Sequence, residues 1–230
     1  MSSFFKKNQK EFLFYSFFRN FAHVRRTIFI MIMVLLVMIN VHAQDSIITL
    51  PKIPPQRTCI VQTENGMKQM YYFHKGGKAS IGTGKYGQAA IDTTVSGRFV
   101  IPDSVLDTTG KMIPVKRIAR AAFAHCSKLT EVVMPDYIED IGDQAFYDCS
   151  SLRYLKLPPK LEVIYPYAFR GCSSLSIIQL TSPKGPVVYD NIFDQETLNH
   201  ATLFIPFGTS KRYADSFIWG LFLYRMELPE

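Results

Sequence analysis

The sequence is poor in the features that announce catalysis. Its 230 residues contain no G-x-S-x-G, no H-E-x-x-H and no G-x-x-x-x-G-K-S/T, so the common hydrolase, zinc-protease and phosphate-loop signatures are missing. Gly82 to Gly87 (G-T-G-K-Y-G) has the glycine spacing of a dinucleotide-binding turn but no helical pattern after it, so it reads as a plain turn. Cysteine is scarce, four residues in all, with no C-x-x-C pair and no pair of His at short spacing; a tetrahedral zinc site is not expected. Past residue 43 only His74, His125 and His200 remain, each isolated from a Ser, Cys or carboxylate at diagnostic spacing, and a general base needs such a partner within reach. Glu139, Asp140, Asp143 and Asp148 form an acidic cluster, but their spacing fits no calcium loop, and a solvated turn is expected there. The chain therefore reads as a non-enzyme without metal or cofactor.

One-signed charge is also lacking where it would matter. The formal charge is +7, yet residues 1–43 hold six Lys or Arg against Glu11 alone, and the other 187 residues carry 20 basic and 18 acidic groups. A nearly balanced remainder offers no clustered basic surface, so nucleic acid is not an expected partner. With 47% hydrophobic and 20% charged residues the chain can bury a core. Its 13 Gly and 13 Pro, spread along the length, favour many turns over long helices.

Long apolar runs are missing too. The uncharged stretch Ile28 to Ile39 has 12 residues, whereas a spanning helix needs about 20. It follows Arg25-Arg26 and precedes Val41 and Ala43 at the small-residue positions of a cleavage site. That order is a secretory signal peptide, cut after Ala43, which implies an exported, secreted or cell-surface protein that meets the membrane only through this signal. A long aromatic segment containing Phe4, Phe5, Phe12, Phe14, Tyr15, Phe17, Phe18 and Phe21 precedes Arg25. It keeps a second possibility open: an uncleaved segment that retains the protein at the envelope as a structural scaffold. No Cys follows Ala43, so a lipid on the new N-terminus is not expected.

What the chain does contain is a repeat. A period of 23 residues runs over 115–203, with copies beginning at Ile118 (I-A-R-A-A-F-A-H-C-S-K-L-T-E-V-V-M-P), Ile141 (I-G-D-Q-A-F-Y-D-C-S-S-L-R-Y-L-K-L-P) and Ile164 (I-Y-P-Y-A-F-R-G-C-S-S-L-S-I-I-Q-L). The columns Ile118/Ile141/Ile164, Ala122/Ala145/Ala168, Phe123/Phe146/Phe169, Cys126/Cys149/Cys172, Ser127/Ser150/Ser173 and Leu129/Leu152/Leu175 are identical. Val115/Ile138/Leu161, Val132/Leu155/Ile178 and Met134/Leu157/Leu180 stay apolar, and Phe193, Leu198, Leu203 and Ile205 mark a degenerate fourth copy. A unit this short cannot bury its apolar side alone and must stack on copies of itself, which makes a solenoid.

Within each unit, L-x-x-V-x-M and its counterparts alternate toward a Pro or a turn, predicting a short strand; stacked units give a parallel sheet. I-x-x-x-A-F-x-x-C places apolar groups near helical spacing and predicts one tight helical or 3-10 turn per unit. The Cys column puts neighbours about 4.8 Å apart with parallel Cβ vectors, which do not converge as a disulfide requires, so buried free thiols are expected. Open solenoid ends need covers. A hairpin turning at His74-Lys75-Gly76-Gly77 is expected at the first end, and Tyr213, Phe217, Trp219, Leu221 and Phe222 at the last.

The motif L-x-x-V-x-M-P followed by I-x-x-I-x-x-x-A-F-x-x-C-S-x-L resembles the BspA-type leucine-rich repeat, also called the Treponema pallidum type, of bacterial surface proteins. Upstream, Tyr71-Tyr72-Phe73, Lys78 to Ile81, Gly97 to Val105 and Gly110 to Val115 are similar to the short β segment that precedes the first repeat in that family. Downstream, Leu203 to Tyr213 and then Trp219 are similar to its closing strand and short helix, so the resemblance spans roughly 60–222. It implies a β-rich leucine-rich-repeat solenoid that adheres to host, matrix or neighbouring-cell proteins. The resulting plan is a signal peptide (1–43), a linker and β-rich N-terminal cap (44–114), leucine-rich repeats (115–203) and a C-terminal cap (204–230). The residues flanking the second apolar column should face solvent on the concave side of the sheet. They are Glu131 and Val133, Tyr154 and Lys156, Ile177 and Gln179, with Thr202 and Phe204 extending the row. Their mixture of aromatic, aliphatic and charged groups suits a protein partner better than a polyanion.

Overall fold

Alternating apolar residues form short strands here, and the Pro and Gly between them end each strand after a few residues. The computed structural model describes residues 57–83, 85 and 88–230; the expected signal segment and its cleavage site lie outside them. The strands are β1 (Arg57–Thr63), β2 (Gly66–Lys75), β3 (Lys78–Ile81), β4 (Ser96–Val100), β5 (Ser104–Leu106), β6 (Met112–Ile118), β7 (Lys128–Val133) and β8 (Asp140–Ile141). They continue with β9 (Tyr154–Lys156), β10 (Val163–Ile164), β11 (Ile177–Gln179), β12 (Val187–Val188), β13 (Thr202–Ile205) and β14 (Tyr224–Glu227). Two short helices, α1 (Gln195–His200) and α2 (Ser210–Ala214), and a 3-10 turn at Trp219–Leu221 complete the described elements.

The strands sort into two sheets. One runs β1-β2-β3-β6-β8-β10-β12 with β5 beside β6, and the other β14-β13-β11-β9-β7-β4. Pairing is antiparallel in β1-β2-β3 and parallel from β3 to β12. The second sheet is parallel throughout. Each coil thus contributes one strand to each sheet; the expected single strand per unit is β7, β9 or β11, and the two-residue strands β8, β10 and β12 add a second sheet. The N-terminal hairpin turns through Gly76 and Gly77 at φ 60° and 74°, the double left-handed conformation that a tight hairpin demands.

Between the sheets lies a ladder of rings. Phe99, Phe123, Phe146, Phe169 and Phe193 follow one another at centroid distances of 5.5, 5.1, 5.3 and 5.6 Å, and Trp219 and Phe222 close the row against Phe193. All are buried. Phe99 shows that the interior pattern begins one coil before the first copy legible in the sequence.

The Ala-Phe-x-x-Cys segments close the i to i−3 bonds of a 3-10 turn, Ala122 to Ala119, Ala124 to Ala121 and Cys126 to Phe123. The intervening amides do something else. Those of Ala121, Phe123 and His125 donate to the carbonyls of Asp143, Ala145 and Tyr147 in the next coil, and Gln144, Phe146 and Asp148 repeat this toward Pro166, Ala168 and Arg170. The alternation requires left-handed residues at Ala121, His125, Gln144, Asp148 and Tyr167 (φ 52° to 63°), which stops the turn from propagating into a helix.

Cys126, Cys149 and Cys172 are buried free thiols. The Cys149 Sγ donates to the Phe123 carbonyl at 3.1 Å and Cys172 to Phe146 at 3.2 Å, so each thiol ties its coil to the preceding one. Burial raises the Cys126 pKa far above the ordinary thiol range, and contact with the Cys172 thiol together with burial does the same to Cys149.

The C-terminal end departs from expectation in two ways. Tyr213, Ile218, Trp219 and Phe222 are buried as a cover, but Phe217 and Leu221 are exposed. They line an open cleft of about 390 Å³ with Phe193 and Leu198. The core end is already filled by the four buried groups, and the turn at Trp219–Leu221 sends its neighbours outward. In addition, a final strand, β14, follows the cap. Its Arg225 sits at the register of the interior column ending in Leu203, and its guanidinium donates to the Gly220 and Phe222 carbonyls at 2.8 and 2.5 Å. A charge at that register blunts an otherwise open sheet edge.

Candidate protein-binding face

Period-two alternation sends Phe99, Val132, Leu155, Ile178 and Leu203 into the core and their neighbours outward. Strand register then aligns the outward residues in two rows. The first runs Arg98, Glu131, Tyr154, Ile177, Thr202, Tyr224. The second pairs Val100 with Val133 and runs Lys156, Gln179, Phe204, Met226. The sequence-predicted Glu131, Val133, Tyr154, Lys156, Ile177 and Gln179 thus share one face of the β4-to-β14 sheet. Lys156 and Ile177 are exposed, and Glu131, Val133, Tyr154 and Gln179 are half-buried. Sequence reasoning missed the rows' outer members, Arg98 and Val100 at one end and Tyr224 and Met226 at the other. The alternations R-F-V and Y-R-M-E were the available signal, but neither strand carries the A-F-x-x-C motif.

The face holds two polar links. Arg98 Nε lies 3.3 Å from Glu131 Oε1, and the Tyr154 hydroxyl donates to Gln179 Oε1 at 2.7 Å. Burial and the nearby Glu131 carboxylate raise the Tyr154 pKa, keeping the phenol a neutral donor. Arg153 and Lys156 are exposed and have no side-chain partner among the described residues. The arrangement offers stacking, apolar and hydrogen-bonding contacts to a surface laid across it.

The acidic cluster does not stand alone in solvent. Glu139 bridges Lys116 at 2.5 Å and Lys78 at 2.6 Å, Arg117 meets Asp140 at 2.6 Å, Arg120 meets Asp143 at 3.0 Å, and His125 Nδ1 lies 3.3 Å from Asp148. Apart from Lys78, each of these basic residues precedes its acidic partner by one repeat. The side-chain hydrogen bonds from Lys116 and Lys78 hold the Glu139 carboxyl below its ordinary pKa. His200 Nδ1 contacts the Glu196 carbonyl at 2.7 Å. No group of three or more His, Cys, Asp or Glu among the described residues could hold a metal ion.

Two sheets that are parallel through the repeats, an interior ring ladder and one short strand per coil on each sheet define a leucine-rich-repeat solenoid. Residues 111–217 match the model of the BspA type leucine-rich repeat region, in six copies. Residues 111–217 are therefore a BspA-type leucine-rich repeat region. Solved structures similar to it include a leucine-rich repeat protein from Bacteroides capillosus ATCC 29799, 25% identical over 64% of this chain and 97% of that one, TM-score 0.49. The T. pallidum leucine-rich repeat protein is 20% identical over 60% of this chain and 68% of that one, TM-score 0.45. A leucine-rich cell surface protein from Faecalibacterium prausnitzii A2-165 is 22% identical over 64% of this chain and 45% of that one, TM-score 0.40. No curated protein matches the chain. Repeat solenoids generally present extended surfaces to other proteins.

Proposed function

We propose that the chain is exported through its N-terminal signal, cut after Ala43, and acts as an adhesin-like protein-interaction module at the cell surface or beyond it, without catalysis. The observation that carries this reading is the pair of outward rows on the β4-to-β14 sheet, centred on Tyr154, Lys156, Ile177 and Gln179. The signal-like order of Arg25-Arg26, Ile28 to Ile39 and Ala43 supports export. In this plan residues 44–114 are linker and N-terminal cap, 115–203 the repeats and 204–230 the C-terminal cap. The partner is a host, matrix or neighbouring-cell protein.

The test is to display the chain against panels of such proteins and then substitute Tyr154 and Ile177 with Ser. A captured protein whose binding falls on both substitutions supports the face; binding that neither substitution changes removes it. The aromatic segment before Arg25 favours a second reading, an envelope scaffold held by an uncleaved N-terminus. Sequencing the mature N-terminus separates the two, since a start at Gln44 eliminates retention by that segment.

A further inference from the structure

The two rows change character along the solenoid. Toward the β4 end the charge is internally neutralised, because Arg98 and Glu131 face each other at 3.3 Å. In the middle, Arg153, which immediately precedes β9 and lies outside the two rows, and Lys156 at the strand's end are exposed cations with no side-chain partner among the described residues. Toward the β14 end the rows become apolar: Ile177 is 39% exposed, Tyr224 56% and Met226 55%, with Phe204 half-buried between them. The charges of β14 do not interrupt this strip. Arg225 is engaged with backbone carbonyls, and Glu227 accepts from the Ser210 amide and hydroxyl at 2.9 and 2.7 Å.

Building on the interaction face proposed above, we infer that its occupant is an extended polypeptide segment combining acidic with aromatic or aliphatic side chains. Its carboxylates sit against Arg153 and Lys156, and its apolar groups lie on Ile177, Phe204, Tyr224 and Met226. Two unpaired cations next to an apolar strip are complementary to such a segment in both charge and polarity. A basic or purely polar segment would leave the cations repelled and the apolar groups in water. Nucleic acid and anionic membrane fit less well, because a polyanion needs a continuous basic track rather than two cations beside an apolar strip.

The experiment is to pan a displayed library of random 12-residue peptides on the full chain and synthesise the recovered peptides. Their affinities are then measured for the chain, for Lys156→Glu, for Tyr224→Ser/Met226→Ser, for Tyr154→Ser and Ile177→Ser, and for Val187→Ser on the opposite sheet, after circular dichroism shows each variant folded. The inference expects peptides rich in Asp or Glu with Leu, Phe or Tyr. Their affinity should fall about tenfold on Lys156→Glu and on the β14 double substitution, the size of one lost interfacial contact, and stay unchanged on Val187→Ser. Recovery of basic or neutral polar peptides that still depend on Tyr154 and Ile177 overturns this inference and leaves the interaction face standing. Peptides indifferent to every substitution on the face overturn both. No recovery, or tighter binding to phosphatidylserine vesicles or a single-stranded oligonucleotide than to any recovered peptide, overturns the inference as well.

Discussion

Replacing Phe146 by Ala removes the middle ring of the ladder. That ring is fully buried and lies nearly parallel to its neighbours, 5.1 Å from Phe123 and 5.3 Å from Phe169. Truncating a buried Phe costs about 3–5 kcal/mol through lost transfer energy and an incompletely collapsed cavity. The upper half of that range is expected, since both flanking rings are held by their own coils and neither can close the gap. Phe146→Leu keeps most of the volume and should cost only about 1–2 kcal/mol. With a urea m-value of about 2 kcal/mol per molar, the Ala variant should unfold about 2 M earlier. The assay is equilibrium urea unfolding of both variants, followed by far-UV circular dichroism and by fluorescence of Trp219. This is the only Trp in the sequence, and it packs on Phe193 near the far end of the ladder. In a nearest-neighbour array, weakening one interior interface can split the transition, so in Phe146→Ala the two probes should cease to coincide. A loss below about 1 kcal/mol with coincident probes would refute the view that stacked rings carry the coupling between coils.

Three other outcomes follow from the same geometry. A Cβ on Gly142 would lie 2.7 to 2.9 Å from the backbone of Arg120, Ala119 and Ile118 in the preceding coil, so Gly142→Ala should cost about 1–3 kcal/mol, and an unchanged urea midpoint would contradict that close approach. Glu139 is held below its ordinary pKa by Lys116 and Lys78; its contribution is present above the ordinary glutamate range and is lost as pH falls through the depressed folded value. Acid titration of stability should therefore show a loss that Glu139→Gln lacks, worth under about 1 kcal/mol for a surface pair and shrinking with salt; identical acid profiles would exclude it. Of the four thiols, only the half-buried Cys59 should react with a maleimide in the native state, and slowly, because burial raises its pKa too. All four should react in denaturant, and native labelling of two or more would show that the Cys column is open.

The central coils were legible because their neighbours are copies. Phe123, Phe146 and Phe169 occupy the same surroundings three times over, so one side-chain type recurs there, and the same holds for the Ala and Cys columns. The outer coils were not, because each has a neighbour of a different kind. β4 follows the N-terminal hairpin and β14 follows the cap, so Arg98, Val100, Tyr224 and Met226 belong to the face without carrying the repeat motif. The charge ladder was hidden for another reason. Lys116, Arg117, Arg120 and His125 carry no acidic partner within their own coil. They pair with Glu139, Asp140, Asp143 and Asp148 only once coils are stacked in register, which turns a sequence separation of 23 residues into a contact of about 3 Å.

By itself, then, the amino-acid order determined the period, the interior columns and hence the solenoid, because a coil too small to bury its own apolar side leaves no other way to hide it. Tertiary structure alone decided which outward groups share a face, which charges neutralise one another and which aromatic groups at the last coil stay exposed. Those outcomes depend on how each coil is placed on the next, and placement comes from backbone hydrogen bonds and ring stacking that the solvent-facing residues do not specify.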